Sequence, residues 1–200
     1  MNKNIEDYVF HKRNFLDSQF CKDGIISLEE GVWDKHTWKI YDGQSLSSVS
    51  SSKQMEPSYK AEGEDSSNFT VNVTSLNHFI LEKLHNAIKE YFVHLGFDWF
   101  HSWLGYSSIK FIKYSLGEEM MDHYDCIHSL FDGERRGIPT LSIIGTLNDD
   151  YEGGELYMFI DKKIDMKAGD LLIFPSTFMY PHRVDPVKNG TRYSYVSWTW

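Results

Sequence analysis

Cysteine is scarce in this 200-residue chain: Cys21 and Cys126 are the only two, and most of the sequence separates them. A disulfide framework or a thiolate zinc site needs clustered cysteines, so neither is read here, and both thiols are expected as small, buried or neutral groups. No apolar run approaches the roughly 20 residues that a membrane span requires. The opening MNKNIEDYVF likewise has no apolar segment of the signal-peptide kind. The expectation is a soluble, cytoplasmic protein with no membrane partner. Cations are also in deficit, 20 Lys+Arg against 29 Asp+Glu, a net charge of -9. Phosphate backbones and anionic bilayers are recognised by clustered cations, so a general affinity for nucleic acid is disfavoured. What the chain does have is core material: 41% apolar and 16% aromatic residues are too many for a disordered polymer. The length suits one ordinary domain that buries about 70% of its unfolded surface. No internal repeat is visible.

Helical spacing runs from about Leu16 to Glu30, with Asp17 or Ser18 as the cap and Gly31 as the stop. The stretch from Tyr41 to Asn68 carries nine serines and scattered glycines, and reads as a long mobile loop, either a lid over a site or a neutral insertion. From Thr74 to Gly96 a second helix places Leu76, Phe79, Ile80, Leu84, Ala87 or Ile88, Tyr91, Phe92 and Leu95 on one face. His78, His85 and His94 lie on it without an i, i+4 pair, so they read as surface histidines rather than ligands. Beyond residue 100 the period shortens to about two, in SSIKFIKYSL, IPTLSIIGTL, GELYMFI, DLLIFPS and TRYSYVSWTW. Short strands without intervening helices point to an antiparallel sandwich or barrel. The expected fold is mainly β, a jelly-roll body with two N-terminal helices packed on it.

In MMDHYDCIH, His123 and Asp125 are two residues apart, so on an extended strand both side chains share a face. An H-x-D pair alone is a weak signal that arises often by chance, and by itself it reads as a surface turn. His182, in FMYPHRVDP, lies on another predicted strand that a barrel could bring near. Two histidines and one carboxylate leave three adjacent positions open on iron, as O₂ activation beside a chelating cosubstrate demands. Ten residues beyond His182 comes Arg192, and period two puts Arg192, Ser194, Val196 and Trp198 on one face. A buried arginine needs an anionic partner, and its planar fork suits a carboxylate, with the Ser194 hydroxyl as a second donor.

These residues resemble the Fe(II)/2-oxoglutarate-dependent dioxygenases, and among them the prolyl 4-hydroxylase-like group. The resemblance covers about Ile109 to Trp198, through FIKYSLGEEMMDHYD, LNDDYEGGELYMF, AGDLLIFPS, YPHRVDPV and GTRYSYVSW in that order. It implies a double-stranded β-helix (jelly-roll, cupin-like) core. It also implies that His123, Asp125 and His182 are the catalytic iron ligands, that Arg192 binds the far carboxylate of 2-oxoglutarate, and that Tyr114 assists. Gly153 and Gly154 match the family's turn into a barrel strand. The sequence departs from the pattern at Thr146, where many hydroxylases carry tyrosine, and at Arg192-x-Ser194, where many prolyl 4-hydroxylases carry lysine. The implied organisation is a single dioxygenase domain over 1–200: a helical N-terminal support over 1–100, with its mobile loop at about 42–68, and a catalytic core over 105–200.

The implied chemistry consumes 2-oxoglutarate and O₂ on Fe(II), with ascorbate as a candidate reductant. It releases succinate and CO₂ and hydroxylates an unactivated C–H bond. Asp125 matters here, because related halogenases lack the carboxylate ligand. The implied substrate is a prolyl residue of a peptide or protein, or else a free amino acid or other small molecule. Arg135 and Arg136, in SLFDGERRG, are candidate substrate residues, or a solvated charge cluster. Trp198 either lines the pocket or belongs to the core. His128, five residues from His123, falls on the opposite strand face and is not assigned to iron. Two other classes share the sheet pattern. A cupin-like isomerase or sugar-binding protein leaves Arg192 without a role, and a noncatalytic binding module predicts broken ligands.

Overall fold

The computed structural model describes residues 3–41, 46–55, 68–96, 105–125 and 139–199. Cys126, His128, Arg135 and Arg136 lie outside the described residues, as do parts of the expected lid, 42–45 and 56–67. The N-terminal half contains β1 (Phe10–Lys12), α1 (Ser18–Glu29), β2 (Asp34–Tyr41), β3 (Leu46–Met55) and α2 (Asn68–Leu95). The C-terminal half begins with β4 (Lys110–Tyr114), β5 (Met120–His123), β6 (Leu141–Thr146), β7 (Glu152–Gly153) and β8 (Leu156–Met158). It ends with β9 (Lys162–Ile164), β10 (Leu171–Pro175), β11 (His182–Val184), β12 (Val187–Asn189) and β13 (Arg192–Thr199). Every apolar run expected as a strand contains one.

Both helices follow from local chemistry. Asp17 is the cap of α1, its carboxylate accepting the Phe20 amide at 2.8 Å. Gly96, at φ +66, stops α2 in the left-handed conformation that glycine adopts without strain. Along α2, Val73, Leu76, Ile80, Leu84, Ala87, Ile88, Tyr91 and Leu95 form the buried stripe. Phe79, expected on that face, is instead partly exposed and packs on Phe20 with ring centroids 4.3 Å apart.

The large sheet has the order β1-β10-β6-β13-β4-β3-β2, and a smaller one the order β5-β11-β8-β9; β7 and β12 pair separately. The large sheet is covered on both faces. Phe111, Ile143, Leu171, Ile173 and Tyr195 pack toward the helices. Their alternates Ile112, Ile144, Leu172 and Phe174 pack toward Met120, Leu156, Met158 and Val184 of the small sheet. The chain is therefore mainly β with helices on one side of a two-sheet jelly roll, as the periodicity indicates.

Two expectations about the N-terminal half are corrected. The segment read as one loop over 42–68 contains β3, and α2 begins at Asn68, six residues before Thr74. The support over 1–100 is also not purely helical, because β1, β2 and β3 all join the large sheet. The physical reason is pairing. β3 takes its hydrogen bonds from β2 on one side and from β4 on the other, with Gln54 opposite Ile112 and Met55 opposite Phe111. A serine-rich strand of this kind is specified by its neighbours rather than by its own apolar pattern.

Candidate functional site

His123 and His182 face each other. Antiparallel pairing of β5 with β11 makes them direct cross-strand partners, and their ring centroids are 4.3 Å apart. The register slips between His182 and Val184, an irregularity of the kind that re-aims side chains beside active sites. Each imidazole is held by a carbonyl two residues back. His123 Nδ1 bonds the Met121 oxygen at 2.8 Å, and His182 Nδ1 bonds the Tyr180 oxygen at 3.1 Å. A carbonyl only accepts, so both Nδ1 atoms carry a proton and Nε2 is the ring atom through which each histidine would bind a metal. Burial, and then the neighbouring His182 charge, push the His123 pKa down to about 4, so its ring is neutral near pH 7.

β5 ends at His123, so Asp125 lies just beyond the strand rather than on it. It still converges: its Oδ1 is 3.8 Å from His123 Nε2, and one ligand atom each from His123, Asp125 and His182 fall within 4.8 Å of one another. Oδ2 accepts the Ser142 hydroxyl at 2.5 Å, and the Trp198 indole also hydrogen-bonds the carboxylate. Burial works to raise the Asp125 pKa, but the two histidines and these two donors outweigh it and hold it below the ordinary value. Two imidazoles and one ionised carboxylate at this spacing fit a divalent first-row metal ion.

On β13, Arg192 is 1% exposed and opposite Tyr114, with its guanidinium carbon 5.2 Å from the ring centroid. Its Nη1 donates to Ser194 Oγ at 2.8 Å, while Nε is buried without a partner among the described residues. Among the described residues no carboxylate lies within 4.0 Å of this cation. The Thr146 hydroxyl, opposite Ser194, is likewise buried and unpartnered among the described residues. Burial raises the Tyr114 pKa against the pull of Arg192, so the phenol keeps its proton, and it hydrogen-bonds Ser52. Gly154 makes room for this arrangement, since a side-chain carbon there would meet Arg192 Cδ at 3.2 Å. A desolvated arginine with no carboxylate partner among the described residues, beside the unpartnered Thr146 hydroxyl, is chemically suited to an anion.

The structure thus brings together His123, Asp125 and His182, and separately Arg192, Ser194 and Tyr114. Trp198, expected as a substrate or core residue, is partnered with Asp125. Sequence reasoning missed Ser142 and Ser176, whose hydroxyls are 2.6 Å apart beneath Asp125. The available signal was a serine inside the apolar run LSIIG and another after LLIFP.

Residues 109–200 match the model of the 2OG-Fe(II) oxygenase superfamily. This region belongs to that superfamily. The chain is also similar to PKHD-type hydroxylases. It is 34% identical over 98 residues to one from Delftia acidovorans, covering 45% of this chain and 42% of that protein. It is 37% identical over 97 residues to one from Aliarcobacter butzleri, covering 45% and 41%. The match therefore spans about two fifths of the length of these curated relatives. In three dimensions the chain resembles the viral collagen prolyl hydroxylase of Paramecium Bursaria Chlorella virus-1 in its 2OG complex. The TM-score is 0.63 at 16% identity, covering 96% of this chain and 94% of that one. It resembles equally a Trichoplax adhaerens prolyl hydroxylase in complex with a hypoxia inducible factor peptide fragment, at TM-score 0.63 and 19% identity, covering 97% and 84%. At such identities the likeness shows the fold, and the oxygenase region has the prolyl hydroxylase fold.

Proposed function

We propose that this chain is an Fe(II)- and 2-oxoglutarate-dependent hydroxylase whose substrate is a prolyl residue of a peptide or protein. The observation that carries the reading is the conjunction, inside one barrel, of a three-donor cluster with a buried arginine that has no anionic partner among the described residues. His123, Asp125 and His182 would hold Fe(II), which with 2-oxoglutarate and O₂ supplies the oxidising chemistry that ends in succinate, CO₂ and a hydroxylated product.

The protein's own work is binding and orientation. Arg192 receives the far carboxylate of 2-oxoglutarate through its planar fork, and the Ser194 hydroxyl, already bound to Nη1, fixes the plane of that fork. Tyr114 covers one face of the guanidinium, and the Thr146 hydroxyl is a further donor for the same carboxylate. Ile112, Ile144, Leu172 and Phe174 pack in the apolar interior between the two sheets, and a low-dielectric surround of that kind strengthens polar contacts. A peptide substrate accords with the peptide-bound structural neighbour. A free amino acid or other small molecule is the second reading, and the excess of acidic residues weighs against a nucleic acid. A cupin-like isomerase or a binding module gives Arg192 no task.

The test is succinate formation from 2-oxoglutarate by protein loaded anaerobically with Fe(II) and then exposed to air. It is run with and without ascorbate, against proline-containing peptides and free amino acids, with Asp125→Ala as the control. Peptide-stimulated succinate that disappears in the control supports the reading. No iron-dependent succinate in any mixture would overturn it.

A further inference from the structure

The carboxylate of Asp125 is tied to the opposite sheet, its Oδ2 accepting the Ser142 hydroxyl. Ser142 and Trp198 are cross-strand partners on β6 and β13 of the large sheet, and both reach across to this single side chain of the small-sheet segment. Ser142 spends its only proton on Asp125 Oδ2. The 2.6 Å contact between Ser142 and Ser176 therefore has Ser176 donating into Ser142 Oγ. Ser142 is fully buried and Ser176 nearly so, and the Ser176 amide is fixed on the Thr140 carbonyl at 3.1 Å. This is a directional relay of two hydroxyls ending on one carboxylate oxygen. The other oxygen, Oδ1, is the one that approaches His123.

From this geometry we infer that Ser142, backed by Ser176, is a positioning residue that makes Asp125 a one-oxygen ligand. The inference rests on the hydroxylase reading above. An octahedral ion held by two imidazoles and one carboxylate oxygen has three positions left, two for a chelating keto acid and one for O₂. A carboxylate that swung to bind through both oxygens would take one of those three. Turning Oδ2 toward the histidines means breaking its bond to Ser142, so the relay protects the vacant positions rather than the metal affinity itself. Neighbours of ligands commonly set ligand orientation in this way. Here the support comes from a different sheet.

The experiment separates metal binding from cosubstrate chelation under anaerobic conditions. Fe(II) alone is titrated first, followed by 2-oxoglutarate monitored through the visible charge-transfer absorption of the chelated keto acid. Ser142→Ala is expected to keep its Fe(II) affinity within about threefold or to bind tighter, while 2-oxoglutarate binding weakens at least about tenfold and the absorption band shifts or fades. Ser142→Thr, which keeps the hydroxyl, should restore both. Ser176→Ala removes only the second hydroxyl and should give a smaller loss in the same direction; it serves also if Ser142→Ala does not fold. Unchanged 2-oxoglutarate affinity and band in both alanine variants would overturn the inference. Proportional loss of iron and cosubstrate would do so too, showing that the relay merely keeps Asp125 in place. Wild-type protein that binds no Fe(II) would overturn the hydroxylase reading itself, a result distinct from either.

Discussion

Arg192 and Tyr114 are direct cross-strand partners on β13 and β4, and the guanidinium carbon sits over the tyrosine ring, 5.2 Å from its centroid. Removing the cation should therefore affect the cosubstrate and spare the metal. Arg192→Ala is expected to raise the 2-oxoglutarate concentration for half-maximal succinate formation by about 30-fold or more, the lower end of what a desolvated charge contact is worth. Fe(II) affinity measured alone should change little. Equal losses of both would instead mean a collapsed barrel.

Ligand replacement should give the converse pattern. His123→Ala and Asp125→Ala are expected to lose stoichiometric Fe(II) binding and all succinate formation, with far-ultraviolet circular dichroism unchanged. The large apolar clusters on either side of the main sheet do not include these side chains. A variant that retained iron-dependent turnover would show that the chemistry lies elsewhere.

Gly145 has no room for a methyl group. A side-chain carbon there would lie 1.9 Å from Tyr195 Cζ, because Tyr195 is its cross-strand partner and its ring fills the space. Gly145→Ala should cost about 1–3 kcal/mol by overpacking and lower the melting temperature by about 2–12 °C. Combining it with Tyr195→Leu should recover part of that loss, which a double-mutant cycle would measure. Purely additive losses would refute the steric account.

Acid sensitivity should centre on Asp170. Its carboxylate, 1% exposed, accepts bonds from Arg13 Nη1 at 2.7 Å, the Lys167 amide at 2.9 Å, the Asn14 amide at 3.1 Å and His11 Nε2 at 3.1 Å. Burial works to raise its pKa, but these donors prevail and hold it below the ordinary carboxylate value. A depressed carboxylate favours the folded state above the unfolded pKa of about 3.9 and loses that contribution as pH falls through the lower folded-state value. Urea unfolding of the wild type should therefore weaken with falling pH in this window, and the slope should be shallower in Asp170→Asn. Identical slopes would remove Asp170 from the account.

Much of the jelly roll is legible in the sequence because its strands alternate side chains between two apolar faces, and alternation survives as period two. The convergence of His123, Asp125 and His182 is legible for the same reason, helped by the ten-residue offset to Arg192. β3 is not, because serines carry no facial preference and its place comes from hydrogen bonds to β4. The start of α2 was hidden by the same polar composition around Asn68. Ser142 and Ser176 are invisible to periodicity, since their significance is a contact with a carboxylate on another sheet. Arg135 and Arg136 lie beyond what the described residues address.

The bond from Ser142 to Asp125 gives the barrel a mechanical property. His123 and His182 belong to one sheet, while Asp125 is moored to the other, so an ion gripped by all three would act as a rivet through both walls. A rivet of this kind resists shear between the sheets, and by mass action it raises the melting temperature as it fills. Thermal stability would then serve as a gauge of how much of the protein is loaded, readable without any turnover.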